Sequence, residues 1–338
     1  DGFVSSDTGV ITLASSDNNS VSFNVIESNI SGNSQVIDLT WVTTVVSRNN
    51  TIAFNRIKAN DTNTHGIAIR VATNTTILSN IIETNGTNSN GIDIQGGGPN
   101  NTISNNTINI TGSSGIAIRI NSINNIVINN ILNTIGSSAH GISAVSGNKE
   151  INISNNSILI AGNSANGIQF AAENSTIDSN NINMTNSGGA EAIRITGRNN
   201  TIFLNKINHS STSDDAISVE ANRNIIHSNV INTTGGGGVN HVLGGGHGIV
   251  LDSLNNTVYL NNISTNSRDG IFVRLSNNTI HSNRINTITG TGIFFTVSAS
   301  PTINNTLMFN NIINTTGSIA DGINLTGFNN NISSNYIE

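Results

Sequence analysis

The chain has 338 residues and a formal net charge of −6, with only 9% charged and 4% aromatic residues, two prolines and no cysteine. Without cysteine it holds neither disulfide staples nor thiolate-ligated zinc, and the acidic balance argues against nucleic acid, which needs a basic stripe. No apolar run reaches the length of a membrane span, and no Pro-rich linker divides the chain, so a single domain over 1–338 is expected.

In chain order, the opening Asp1-Gly2-Phe3-Val4 resembles Asp321-Gly322-Ile323. The chain thus reads as a segment of a longer repeat protein or a self-stacking unit, since solenoid ends otherwise need caps. An insertion over 34–46 carries the sole tryptophan, Trp41. From 49–57 onward a nine-residue phrase close to Asn-Asn-Thr-Ile-x-x-Asn-x-Ile recurs, at 100–108, 199–207, 277–285 and 304–312 among others. Its seventh position reads Asn24, Asn55, Asn80, Asn106, Asn130, Asn156, Asn180, Asn205, Asn229, Asn261, Asn283, Asn310 and Asn335. Spacings of 22 to 32 residues mark a solenoid of thirteen turns of roughly 25 residues.

Within one turn, alternation of apolar and polar residues predicts three short strands, near Thr51–Phe54, from Ile57, and over Ile67–Val71. Ile52, Ile57, Ile67 and Ile69 face inward. The repeated Asn occupies the bend between the second and third strands, where it tolerates left-handed backbone and can bond to its copy one rung away. A second phrase, Gly-Ile-x-Ile or a variant, marks the first strand at Gly66, Gly91, Gly115, Gly167 and Gly322. A second insertion holds Gly235–Gly238 and Gly244–Gly246 around Val239-Asn240-His241. Insertions in solenoids collect as loops on one face.

These phrases resemble the right-handed parallel β-helix repeat family, the superfamily of pectin and pectate lyases. The resemblance implies an all-β, right-handed parallel β-helix solenoid with three short strands per turn. Neither the hexapeptides of a left-handed β-helix nor the Leu-rich half-repeat of a leucine-rich repeat is present. The family spans lyases, hydrolases, epimerases and surface proteins, so the fold leaves function open.

The residue before the Gly-Ile strand reads His65, Asn90, Ser114, His140, Asn166, Glu191, Asp215, His247, Asp269, Thr291 and Asp321. Acidic residues gather from Glu191 to Asp269, with Asp214 adjacent, and none is expected around His65 or His140. Outward positions add Arg194, Glu220, Asp252 and Arg274. Ala190-Glu191-Ala192, Asp214-Asp215-Ala216, Gly246-His247-Gly248 and Val273-Arg274-Leu275 resemble the successive motifs of polygalacturonase-type hydrolases. That resemblance implies Asp214 as general acid, Glu191 and Asp215 as water-activating bases, and His247 and Arg274 as substrate-binding groups. The first motif has Glu for Asp and the last a single basic residue. Turn chemistry alone also accounts for Asp, Asn or His before Gly. An alternative is a calcium site from Glu191, Asp215 and Asp269, since hard oxygens line one face; no other cofactor is expected.

Many Asn-x-Ser/Thr sequons follow from the repeat, among them Asn49, Asn100, Asn199, Asn255, Asn277 and Asn304. The threonine row Thr51, Thr76, Thr102, Thr176, Thr201, Thr257, Thr279 and Thr306 is broken by Ile126, Asn152, Ile225 and Asn331, which disfavours an ice-binding face. The expected function is an extracellular or cell-surface structural β-helix without catalysis: a stalk, adhesin or filament subunit, and a glycoprotein. Its partners would be its own copies stacked end to end, flanking repeats, or glycans. A polysaccharide hydrolase or lyase is the alternative.

Overall fold

The computed structural model describes residues 9–29, 34–40, 46–96, 98–185, 188–210, 214–235, 245–295, 303–304, 306–317 and 320–338. The Asp1–Val4 opening, Trp41 and the Val239-Asn240-His241 segment lie outside them. Two compact units divide the chain, Asp1–Glu173 and Asn174–Glu338.

Both units are built from one kind of turn. In unit 1 a typical turn runs His65–Ile69, Thr76–Leu78, Ile81–Thr84; in unit 2, Ile271–Val273, Thr279–His281, Arg284–Thr287. Each strand pairs in parallel with its counterpart one turn away, which generates three sheets per unit. Register places like on like: Ile92 on Ile67, Ile77 on Ile52, Ile82 on Ile57, and in unit 2 Ile285 on Ile263. All of these isoleucines are fully buried. At about 1.5–3 kcal/mol per buried aliphatic side chain, these columns are the main stabilising term. Ile52, Ile57, Ile67 and Ile69 thus lie inside as expected. One strand is displaced and one shortened relative to expectation: His65–Ile69 begins and ends two residues before Ile67–Val71, and Thr51–Ala53 stops one residue before Phe54.

Phe54 leaves its strand because it adopts φ 57°, and the residue before each ladder asparagine does the same: Ser79 at 53°, Leu204 at 55°, Ser282 at 56°. The bend asparagine is therefore not the left-handed residue. Its role is hydrogen bonding. Asn55 N–H and Nδ2 both donate to Asn80 Oδ1 at 3.0 Å, and Nδ2 also donates to Val21 O at 2.8 Å. The same pattern links Asn80, Asn106, Asn130 and Asn156 in unit 1, and Asn205, Asn229, Asn261 and Asn283 in unit 2. Left-handed backbone costs an L-residue about 1–2 kcal/mol, and these bonds offset it. A second such corner precedes the second sheet. Asn199 has φ 58°, and after it Asn200 N–H donates to Asn224 Oδ1 and Asn224 N–H to Asn256 Oδ1, both at 2.8 Å.

Two repeats are out of the expected register. In 304–312 the strand Leu307–Phe309 sets Leu307, not Thr306, on Thr279. The ladder residue is accordingly Asn311: Asn283 Nδ2 donates to its Oδ1 at 3.0 Å, and it passes the ladder to Asn335 at 2.8 Å. Asn310 is the left-handed residue, φ 54°. The shift buries Met308 completely. In the Gly115 phrase the strand is Ile118–Ile120, with Ile118 on Ile92. Ile116, not Ser114, therefore occupies the row before the glycine, which buries Ile118 and Ile120 inward.

The phrase glycines are required by close approach, not by a turn conformation. None has positive φ, and a Cβ on Gly270 would lie 2.2 Å from Ile285 Cγ2 and 2.7 Å from Gly292 O.

Candidate functional site

The row before the glycine strand is a set of inter-rung caps. Asp215 Oδ1 accepts His247 N–H at 3.1 Å, His247 Nδ1 accepts Asp269 N–H at 3.2 Å, and Asp269 Oδ1 accepts Thr291 N–H at 2.8 Å. In unit 1, His65 Nδ1 accepts Asn90 N–H at 3.0 Å and His140 Nδ1 accepts Asn166 N–H at 2.9 Å. Asp, Asn and neutral His share one property, a short side-chain acceptor, and this selects them here. The preference attributed to turn chemistry is thus a hydrogen-bonding one.

In unit 2 that row also concentrates charge. Burial pushes the Glu191 carboxyl up to about 7, with the charges of Asp214 and Asp215 adding and its own backbone N–H and Arg194 opposing. Burial raises Asp215 to about 6, against His247 and Arg274. Asp214 and Asp252 are raised for the same reason, opposed by Arg194 and Arg274 respectively. Among the described residues, these four are the carboxyls shifted upward, and they share one patch. Asp214 Oδ2, Asp252 Oδ1 and His247 Nε2 are buried without a hydrogen-bond partner. Buried orphan polar atoms are costly and tend to mark functional sites.

The basic groups are more constrained. Arg194 grips Glu220 with its fork, Nε–Oε1 2.7 Å and Nη2–Oε2 3.1 Å. Arg274 Nη1 donates to Asp252 Oδ2 at 2.6 Å, and its guanidinium lies 4.9 Å from the Phe272 ring centroid. His247 is 1% exposed and stacks on Phe272 at 4.7 Å. The two residues for which the resemblance implied substrate binding are therefore engaged with protein groups. Glu191 and Asp215 remain as carboxyls raised to about 7 and about 6, with Asp214 raised by burial beside them. Glu191, Asp215 and Asp269 sit on different rungs, with His247 between the last two. Among the described residues, no group of three or more His, Asp or Glu is arranged to hold a metal ion. The sequon residues Asn49, Asn100, Asn199, Asn255 and Asn277 are exposed at left-handed corners; the Asn304 side chain lies outside the described residues.

Two features escaped the sequence reading. The expectation that His65 lacks acidic neighbours is wrong: its Nε2 lies 3.5 Å from Asp93 Oδ2, and Arg119 Nη1 lies 3.2 Å from Asp93 Oδ1. Asp93 is 1% exposed and also accepts from Gln95 Nε2 at 3.0 Å. Burial depresses the His65 pKa, with Asp93 opposing. The signal lay in the column two residues after the glycine, where Asp38, Ala68, Asp93 and Arg119 stack in register. The other feature is a column of aromatic rings on the second sheet of unit 2, from Phe203 to Phe309.

No curated protein matches the sequence. Among solved structures, the A-module of the Azotobacter vinelandii mannuronan C-5 epimerase AlgE4 is similar at TM-score 0.63 and 12% identity, over 96% of this chain and 91% of that one. The tailspike of E. coli bacteriophage HK620, solved with a hexasaccharide, is similar at TM-score 0.53 and 11% identity, over 90% and 60%. A PL6 family polysaccharide lyase from Pseudopedobacter saltans is similar at TM-score 0.51 and 11% identity, over 98% and 93%. At these identities the likeness concerns the fold. The family model described as right-handed beta helix region matches residues 158–337, more than half of the sequence, and the chain belongs to that family.

Proposed function

We propose that the chain is an extracellular or cell-surface structural β-helix that works as a stalk, adhesin or filament subunit and meets polysaccharide along its flank. The observation that carries this reading is the saturation of the asparagine ladders. The two hydrogens of Asn229 Nδ2 are shared among Ile202 O, His227 O and Asn261 Oδ1, each at 3.0 Å, while its Oδ1 accepts two bonds from Asn205. Such bonding, repeated along each unit, stiffens the backbone against local opening and proteolysis. The three solved likenesses, named for a mannuronan epimerase, a polysaccharide lyase and a tailspike bound to a hexasaccharide, support a polysaccharide setting. Electron microscopy and intact mass of the native material test the reading. Fibres, or this chain embedded in a larger surface polypeptide, are expected; a discrete short monomer that degrades polysaccharide overturns it.

A second reading, a polysaccharide hydrolase or lyase, is favoured by the carboxyls of Glu191 and Asp215 poised at about 7 and about 6. Here Asp214 would donate a proton to the leaving oxygen while Glu191 or Asp215 accepts one from water or from the sugar. Turnover on a panel of polyuronides and neutral glycans, abolished in Asp215→Asn, supports it; inactivity of the native chain on the panel removes it.

A further inference from the structure

We propose that the second sheet of unit 2 carries a docking strip for a linear acidic polysaccharide, lying along successive rungs and separate from the carboxyl cluster of the first sheet. The inference adds a ligand class to the surface-protein reading and rests on a different face.

The strip is the third residue of five consecutive second-sheet strands: Phe203, His227, Tyr259, His281 and Phe309, each in register with the next. Ring centroids are 5.1, 4.7, 5.0 and 4.7 Å apart, with interplanar angles between 4° and 12°. The five rings therefore form one unbroken stack of about 20 Å, four steps at the ordinary strand spacing. All are half-buried. A chain with only 4% aromatic residues has placed three of them, with two histidines, in one surface column.

Because the rings stack face to face along the column, their edges meet solvent. Base stacking needs free ring faces, so a single-stranded nucleic acid fits poorly. Aromatic edges carry the positive end of the ring quadrupole and favour anionic groups. The middle three edges are also polar. His227 Nδ1 lies 3.1 Å from Ser228 Oγ and His281 Nδ1 3.2 Å from Ser282 Oγ. Their Nε2 atoms and the Tyr259 hydroxyl make no hydrogen bond among the described residues. Three free polar groups at rung spacing match a polymer that presents a hydroxyl or carboxylate at each step.

Charge around the strip is complementary to such a polymer. Lys206, Arg223 and Arg284 are exposed at its two corners and form no ion pair among the described residues. The carboxylate in the column itself is Asp178, one rung below Phe203. In a chain of net charge −6 this is a locally basic, hydroxyl-binding face.

Affinity gel electrophoresis of the full chain in polygalacturonate and in alginate, with dextran as the neutral control, tests the proposal. The native chain is expected to be retarded by the acidic polymers, less so as salt rises. The variant His227→Ala/Tyr259→Ala/His281→Ala should bind at least tenfold more weakly, and so should Lys206→Gln/Arg223→Gln/Arg284→Gln, which leaves the stack intact. Tyr259→Phe, which keeps the ring and removes only the hydroxyl, should lose affinity several-fold without altering thermal unfolding. Glu191→Gln/Asp215→Asn should bind as the native chain does. The proposal is overturned if neither acidic polymer retards the native chain, if the strip variants change unfolding but not retardation, if the first-sheet variant alone loses binding, or if a single-stranded oligonucleotide binds more tightly than either polymer. Filament formation is read separately by microscopy, so this inference fails or stands apart from the surface-protein reading.

Discussion

Asn310 and Asn311 are adjacent and chemically identical, yet the fold gives them opposite work. Asn311 is fully buried; its Oδ1 accepts Asn283 N–H at 3.1 Å and Asn283 Nδ2 at 3.0 Å, and its Nδ2 donates to Ile280 O at 3.1 Å and Asn335 Oδ1 at 2.8 Å. Asn310 is exposed with φ 54°. Glycine at each position separates the two roles. Asn311→Gly orphans the buried Asn283 N–H, which costs about 1–3 kcal/mol, and removes three further bonds at about 1 kcal/mol each. Glycine adds about 0.5–1 kcal/mol of backbone entropy. Partial relaxation of the freed groups brings the expected loss to about 4 kcal/mol. Asn310→Gly relieves left-handed backbone and should leave stability within about 0.5 kcal/mol of the native value. A solenoid opens locally, so amide hydrogen exchange at Asn283 and its neighbours reports the loss better than a global melt. A 4 kcal/mol loss lowers protection by about a thousandfold. Equal effects at the two positions, or a larger one at Asn310, would refute the register and the ladder argument together.

Three further outcomes are expected. His209 stands in a column where threonines cap carbonyls, as Thr233 Oγ1 does to Gly246 O at 3.0 Å. It donates from Nε2 to Ala190 O at 2.9 Å, while Nδ1 is buried without a partner. Burial lowers its pKa below 6.5, with the Ala190 bond opposing, so stability should fall as pH drops through 6.5 and the unfolded chain takes up the proton. His209→Thr should flatten that limb in urea titrations between pH 7 and 5, and an unchanged slope would contradict it. Glu191 has the opposite sign: its folded carboxyl holds a proton up to about 7 against 4.5 unfolded. Its contribution is full below 4.5 and is lost as pH rises through 7, at most a few kcal/mol after solvent screening. Glu191→Gln should remove that loss, read as a smaller drop in the unfolding midpoint between pH 5 and 8. Gly270→Ala places a Cβ against Ile285 and Gly292 O and should cost about 1–3 kcal/mol through overpacking. The bound is set by Ala192 and Ala216, which occupy equivalent positions; a neutral result would mean that the turn relaxes there too.

How far the fold and the site were legible follows from the distances involved. The period near 25, the alternation around Ile52 and Ile57, and the recurrent asparagine suffice for three parallel strands per turn, because each repeat solves the same local problem of burying two faces. The acidic gathering from Glu191 to Asp269 could likewise be read down one column. Other features depend on pairing across a turn. Whether Asn310 or Asn311 is buried rests on Met308 packing over Ile280, and the nine-residue phrase fits either choice. The His65–Asp93 contact joins residues in different columns and on different strands, so reading one column hides it. The left-handed residue precedes the asparagine because the amide must turn inward to reach Asn80. The aromatic strip is invisible as composition, since five rings become one surface only when twenty-odd residues of chain return each to the same height. Sequence by itself determined the repeat, its inward isoleucines and hence the β-helix. Tertiary stacking decided which amides bond, which carboxyls lose water and which rings share a face, because those energies arise between rungs.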